Sequence, residues 1–473
     1  MFLIFLFALT TFLFRNAFNV YFFNDDFFFL KISRITNIGQ FFHFFSPDKN
    51  YFYRPLSTEV FYSLIHFLKE NAFLSHLLVF TVFFIGIYYF HKIVTFLFKD
   101  KFLTALTTIF YALNFTHVFQ LYYFGTFQEI AAFTLLNASF FYFLTKKNFF
   151  SIIFFILALL SKESAVFYLP FLIIFSLIKN RSLDKKLIPY FIASFFSILI
   201  YKNGLSSASS LENYSLQSNL KLTINNFVWY SFWSLGVPNF TSLYFISIFK
   251  APIIDFWKML KNFPEIKNYY LLLISYYLIL FITVTFYFLK NKNKINQIKN
   301  LAFISLLGFV IFLGPILFIE HRWMVRLTIP LVFVVLIQSF LITYLMRGDR
   351  IFKIFGLILI VLYLGLQILG TSIHESSSTF LLESRFTKNA ERYFEKSKKE
   401  IVKHSFIYFK DSDNQKFNPW GGSEKLKVTL SDQNFIDHYF PGTSLQAAYG
   451  FEDKIIPKNA YIISSYDILL QRQ

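Results

Sequence analysis

Apolar residues recur along this chain in runs near the length of a bilayer crossing, at about residues 1–20, 73–90, 102–116, 128–145, 149–160, 164–178, 187–201, 268–289, 301–319, 327–346 and 354–370. The runs predict a polytopic α-helical membrane protein with about eleven transmembrane helices. The polar connections alternate in kind. Those at 91–101, 145–148, 179–186, 290–300 and 347–353 together hold 16 Lys/Arg, with Asp100, Asp184 and Asp349 as their only acids. The short connections of the other parity hold only Lys162, Arg322 and Arg326 as bases. The positive-inside bias therefore puts the first set and the N-terminus in the cytoplasm, and the C-terminal end on the outer face.

Two long segments, 21–72 and 202–267, share the outer side. The first holds FFNDDFFFL and, some thirty residues later, YRPLSTE. Proline suits a helix start, so the stretch after Pro55 is expected to run as a helix along the membrane surface. The second opens with SSASS and turns aromatic at NNFVWYSFWSLGVPNF. Trp229, Tyr230 and Trp233 fit either an interfacial helix at headgroup depth or a contact to sugar or lipid.

The pattern changes after residue 370. ESRFTKNAERYFEKSKKEIVK reads as a charged, solvated helix, and HSFIYF, KLKVTL and NAYIIS read as short strands separated by GG and PGT turns. The expected organisation is a transmembrane part over 1–370 and a small soluble α+β domain on the outer face over 371–473.

Composition agrees. Hydrophobic residues make up 56% of the chain and charged ones 15%, where a soluble domain carries about 25% charged residues. The 72 Phe residues fit an AT-rich coding bias and carry no functional weight. From Gly370 onward 14 Lys/Arg meet 13 Asp/Glu, so nearly all of the +18 net charge lies in the membrane part. Its concentration in short loops points to membrane topology rather than to nucleic acid. The absence of Cys removes disulfides and thiol metal sites. The first run has neither a basic leading region nor a small-residue cleavage site, so no cleavable signal peptide is expected.

Candidate chemistry gathers on the outer side. Asp25 and Asp26 follow the first apolar run, and bare acids at a membrane boundary usually serve a function. The segment between Lys147 and Ser161 rises only roughly 21 Å as a helix, against a hydrocarbon core of about 30 Å. Lys162 and Glu163 would then lie below the surface, either lining a cavity or pairing with each other as the cap of a re-entrant turn. His117, Glu129, His321, Arg322 and Arg326 reach the same face. Singly each suits a structural role; together they combine cations for a phosphate with carboxylates for a reacting hydroxyl.

The motifs NDD, YRPLST and LALLSKESAVFYLP, in this order, resemble the GT-C superfamily of membrane glycosyltransferases that use polyprenyl-phosphate sugars. They are most similar to its O-mannosyltransferases and bacterial relatives, over roughly residues 1–345. NFTHVFQ is similar to a further family segment, but Phe119 and Gln120 stand where that segment has Pro and an acid. No tetratricopeptide array is present, so protein O-mannosylation is not implied. The resemblance implies inverting sugar transfer from an undecaprenyl- or dolichyl-phosphate donor to a hydroxyl of a glycan, lipid or protein. It casts Asp25 or Asp26 as the base, with a divalent metal (Mg or Mn) on the pair as an option. Arg54, Lys162, Glu163, Arg322, Arg326, His117, Glu129 and His321 would hold or orient the donor. A bacterial plasma membrane is the expected location. The rival class is a lipid or polysaccharide transporter, which would place ionisable groups near mid-membrane in two related halves; no such repeat is apparent.

Overall fold

The computed structural model describes residues 1–49, 51–182, 184–209, 217, 219–245, 247–411, 421–452 and 455–470. It is 75% helical. Each apolar run carries a helix, among them Phe2–Leu13, Ala72–Phe98, Asn148–Leu159, Pro264–Lys290, Ile295–Leu313, Leu331–Met346 and Arg350–Ser377. Among the described residues, five helical stretches are long and apolar enough to cross a membrane: Ala72–Phe98, Lys101–Tyr122, Phe124–Leu144, Pro264–Lys290 and Arg350–Ser377. Shorter apolar helices, Phe2–Leu13 and Asn148–Leu159 among them, pack beside these. Pro264–Lys290 leaves Ile274, Leu278, Phe281 and Phe286 exposed. An apolar face of that extent marks contact with something other than water, which agrees with a membrane location.

Close approach organises the bundle. Ala72–Phe98 packs along Phe127–Leu144 with Gly86 at the contact, where a Cβ would come within 2.6 Å of the Phe133 ring and of Thr134. Thr134 Oγ1 donates to the Val82 carbonyl across the same contact at 2.9 Å. At one end of the bundle, ion pairs Arg347–Asp100 and Lys290–Asp349 join three of the basic connections. The acid-bearing segments meet at the other end.

The C-terminal residues build a three-stranded parallel sheet in the order β2-β1-β3, with β1 Phe406–Lys410, β2 Gln446–Tyr449 and β3 Ala460–Ser464. Ile407 pairs with Ala447 on one side and with Tyr461 on the other. HSFIYF and NAYIIS supply strands as expected, but KLKVTL does not. It falls in the helix Gly422–Thr429, and Leu426 and Leu430 are buried while Val428 is half exposed. Three alternating apolar residues satisfy a strand period, yet burial of the first and third alone is helical i,i+4 spacing. The helix also supplies part of the crossover that parallel strands require. QAAY, too short and too plain to stand out, is the strand taken in its place.

A further expectation is corrected. The charged helix Phe380–Ile401 is amphipathic rather than solvated all round, burying Phe386, Ala390, Phe394 and Ile401. The division at 370/371 falls inside the continuous helix Arg350–Ser377. Substituting Gly86 by Val should therefore cost about 1–3 kcal/mol through overpacking. It should lower the thermal unfolding midpoint in detergent; an unchanged midpoint would mean that the contact is looser than this.

Candidate functional site

The Tyr-Arg-Pro-Leu segment docks on the Leu-Leu-Ser-Lys-Glu turn more than a hundred residues away. Leu56 N–H donates to the Leu160 carbonyl at 3.1 Å, and Ser57 Oγ donates to the Ser161 carbonyl at 2.6 Å. Arg54 grips Glu163 through Nε and Nη2, both at 2.7 Å. Local chain chemistry sets this up. Pro55 precedes a single π-helical turn, Leu56–Val60, closed by Val60 N–H on the Pro55 carbonyl at 2.9 Å, and such turns cluster at functional sites. The helix Asn148–Leu159 ends early; its 12 residues span about 18 Å. Lys162 consequently sits buried just beyond its end, with Glu163 part-buried beside it.

The charges of this turn are paired. Lys162 meets Glu129 from Phe127–Leu144 in a buried ion pair. Glu163 is held below the ordinary glutamate range: burial works against ionisation, and the Arg54 guanidinium and Lys162 outweigh it. A third ion pair, missed by the sequence reading, joins Lys49 to the fully buried Glu59. Glu59 also accepts from Tyr51 Oη at 3.0 Å and from Thr58 Oγ1. Its one signal was membership of the YRPLSTE motif itself.

The two aspartates open the helix Asp25–Ile32 as helical neighbours. Asp26 is fully buried, accepting from Tyr62 Oη at 2.5 Å and from Phe23 N–H at 3.0 Å. Burial pushes its pKa up to about 8 against the pull of those two bonds. Asp25 is solvent-exposed and its N–H donates to Tyr123 Oη at 3.2 Å. The protein packed around it raises its carboxyl pKa, while Tyr123 and nearby Arg54 pull it down. Tyr62 and Tyr123 are the residues that place the pair, and nothing marked them among 29 Tyr and 72 Phe.

The turn 320–326 reaches the same wall. The Trp323 ring lies 6.3 Å from that of Tyr123, and Trp323 N–H donates to Tyr230 Oη at 3.3 Å. Arg326 Nη1 donates to the His321 carbonyl at 2.7 Å. Burial, with Arg326 beside it, pulls the His321 pKa down to about 4. Arg322 has a buried Nη1 without a hydrogen-bond partner among the described residues. Gln120 anchors this region through the Val325 carbonyl at 3.0 Å and Thr328 Oγ1 at 2.8 Å.

Asp25, Arg54, Lys162, Glu163 and Glu129 thus form one polar end, with His321, Arg322 and Arg326 alongside. His117 does not join them. It is fully buried among Phe83 and Tyr111, with Nε2 2.8 Å from the Tyr111 carbonyl. Trp229, Tyr230 and Trp233 are buried too, which removes their reading as headgroup anchors. The SSASS side chains lie outside the described residues. Each Asp26 oxygen accepts a hydrogen bond in the interior, and among the described residues no three His, Asp or Glu converge as a ligand set. No family model and no curated protein matches the chain.

Two consequences are measurable. Lys162→Ala would strand Glu129 in a buried site and should cost about 3–5 kcal/mol, whereas Lys162→Met with Glu129→Leu should recover most of it; a cost no larger than that of a surface change would contradict the buried pair. Because the folded chain holds a proton on Asp26 that the unfolded chain releases, this group stabilises less as pH rises from about 4 to about 8. Asp26→Asn should flatten that part of the midpoint-against-pH curve, and parallel curves would refute the raised pKa.

Proposed function

We propose that this protein is a GT-C-type glycosyltransferase, moving a sugar from a polyprenyl-phosphate donor to an acceptor hydroxyl on the outer face of the membrane, with inversion at the anomeric carbon. The observation that carries the reading is the interlock of the two motif segments. Arg54 on Glu163 and the Leu56–Leu160 bond hold the acid-bearing segment against the turn at 160–163.

The roles divide by burial. Asp25, open and influenced by Arg54, is the base: it takes the acceptor's hydroxyl proton as the oxygen attacks the anomeric carbon and the lipid phosphate departs. Asp26, enclosed and bonded to Tyr62, positions its neighbour. The part-buried pair Arg54–Glu163 and the buried pair Lys162–Glu129 cancel in charge, so the leaving phosphate falls to Arg322 and Arg326. Beneath this end an apolar groove of about 440 Å³, lined by Phe133, Tyr168, Phe171, Phe312, Ile329 and Phe333, suits a polyisoprenoid chain. Its lining begins one helical turn past Glu129 and a few residues past Glu163 and Arg326. The eleven apolar helices would each cross or enter the bilayer of a bacterial plasma membrane, with the C-terminal segment outside.

Purified protein in vesicles with radiolabelled polyprenyl-phosphate sugars should pass label to an acceptor or release it as free sugar; intact labelled lipid crossing the bilayer would instead support a transporter. Asp25→Asn should reduce transfer by about 10²-fold or more without lowering membrane expression, and Asp26→Asn should reduce it less. Full transfer by Asp25→Asn would end the assignment of the base.

A further inference from the structure

The residue before the acid pair has an unusual backbone. Asn24 has φ 55° and ψ −131°, a region that glycine occupies freely and side-chain-bearing residues avoid. This turn sends the chain into the helix Asp25–Ile32, so the direction of Asp25 depends on it. The strained residue is held by the C-terminal segment: Asn24 N–H donates to the Thr429 carbonyl at 2.7 Å. The same segment grips both sides of the turn. Upstream, Tyr21 N–H donates to Ser384 Oγ at 2.6 Å and Tyr21 Oη to Glu391 at 2.9 Å. Downstream, Phe27 meets the Phe435 ring edge-on at 4.8 Å, and Lys31 pairs with Asp437 at 2.5 Å.

A histidine closes the joint. His438 Nε2 lies 3.0 Å from Glu70 Oε2, while the other oxygen of Glu70 is 2.9 Å from His66 Nδ1. Arg34 donates to the His438 carbonyl at 2.6 Å. The segment 21–72 is thus fastened to Gln433–Tyr439 at its acid-bearing start and again near its end.

We propose that the C-terminal segment is a positioning element, with Phe435 and His438 locking it to segment 21–72 so that the Thr429 carbonyl keeps the Asn24 turn in the conformation that presents Asp25. Its consequence for sugar transfer rests on the function proposed above. A merely tethered outer domain would need none of these contacts.

The test is hydrogen exchange, followed by mass spectrometry, on the full-length protein and on Phe435→Ala/His438→Ala. The peptide spanning residues 21–27 should exchange roughly tenfold faster in the double variant, while peptides spanning 157–165 and 406–410 keep their protection and so report an intact fold. Transfer should show about a tenfold loss in kcat with donor KM within about threefold. Adding Asn24→Gly, which takes the turn without strain, should restore part of that kcat. Unchanged exchange at 21–27, faster exchange with unchanged kcat, or no recovery with Asn24→Gly would each overturn the proposal. If the unaltered protein transfers no sugar, the function reading fails by itself, and the exchange comparison still decides whether this segment holds the turn.

Discussion

The bidentate pair between Arg54 and Glu163 is the interaction on which the polar end of this bundle depends. A planar guanidinium and a carboxylate fix distance and orientation together. Here they do so with the Leu56 N–H and Ser57 hydroxyl docked on the neighbouring carbonyls. The chain between Asp25 and Glu59 cannot move away from the 160–163 turn without breaking all three contacts. Glu163 stays ionised in its enclosed site because Arg54 is there, and Arg54 is oriented because Glu163 is there. Removing either would leave a poorly hydrated charge, a larger loss than the pair's own net contribution.

Charge bookkeeping then separates scaffold from chemistry. Arg54 with Glu163, Lys162 with Glu129 and Lys49 with Glu59 are buried or part-buried pairs that sum to zero. Asp25 is exposed, and Arg322 keeps a buried Nη1 with no hydrogen-bond partner among the described residues. Asp26, one residue along, is drawn inside by Tyr62 and the Phe23 amide. Adjacent carboxylates thus meet opposite surroundings, the condition under which two acids take different roles. The short helix Asn148–Leu159 makes this arrangement possible, since a longer one would carry Lys162 and Glu163 out of the enclosed turn.

The C-terminal segment changes meaning in the same way. By composition it is a soluble appendage, but its side chains and carbonyls reach back to Tyr21, Asn24, Phe27, Lys31 and Glu70. A parallel three-stranded sheet with its crossover helices gives a rigid base from which Gln433–Tyr439 can press on Asp25–Ile32.

Sequence alone determined the helical, membrane-type architecture, because apolar runs of bilayer length are a local property that no tertiary contact can reverse. It also singled out Asp25, Lys162 and Glu163, because charges are rare in such a chain and these stood near the edges of apolar runs, and Arg54 through its motif. It misjudged KLKVTL, whose alternation fits strand and helix alike until burial selects Leu426 and Leu430. It also passed over Tyr62, Tyr123 and Glu59. Whether an aromatic or an acid at a helix end is structural or functional depends on what faces it. His117, enclosed by Phe83 and Tyr111, and Arg54, set on Glu163 across 109 positions of sequence, were separated only when distant helices came together.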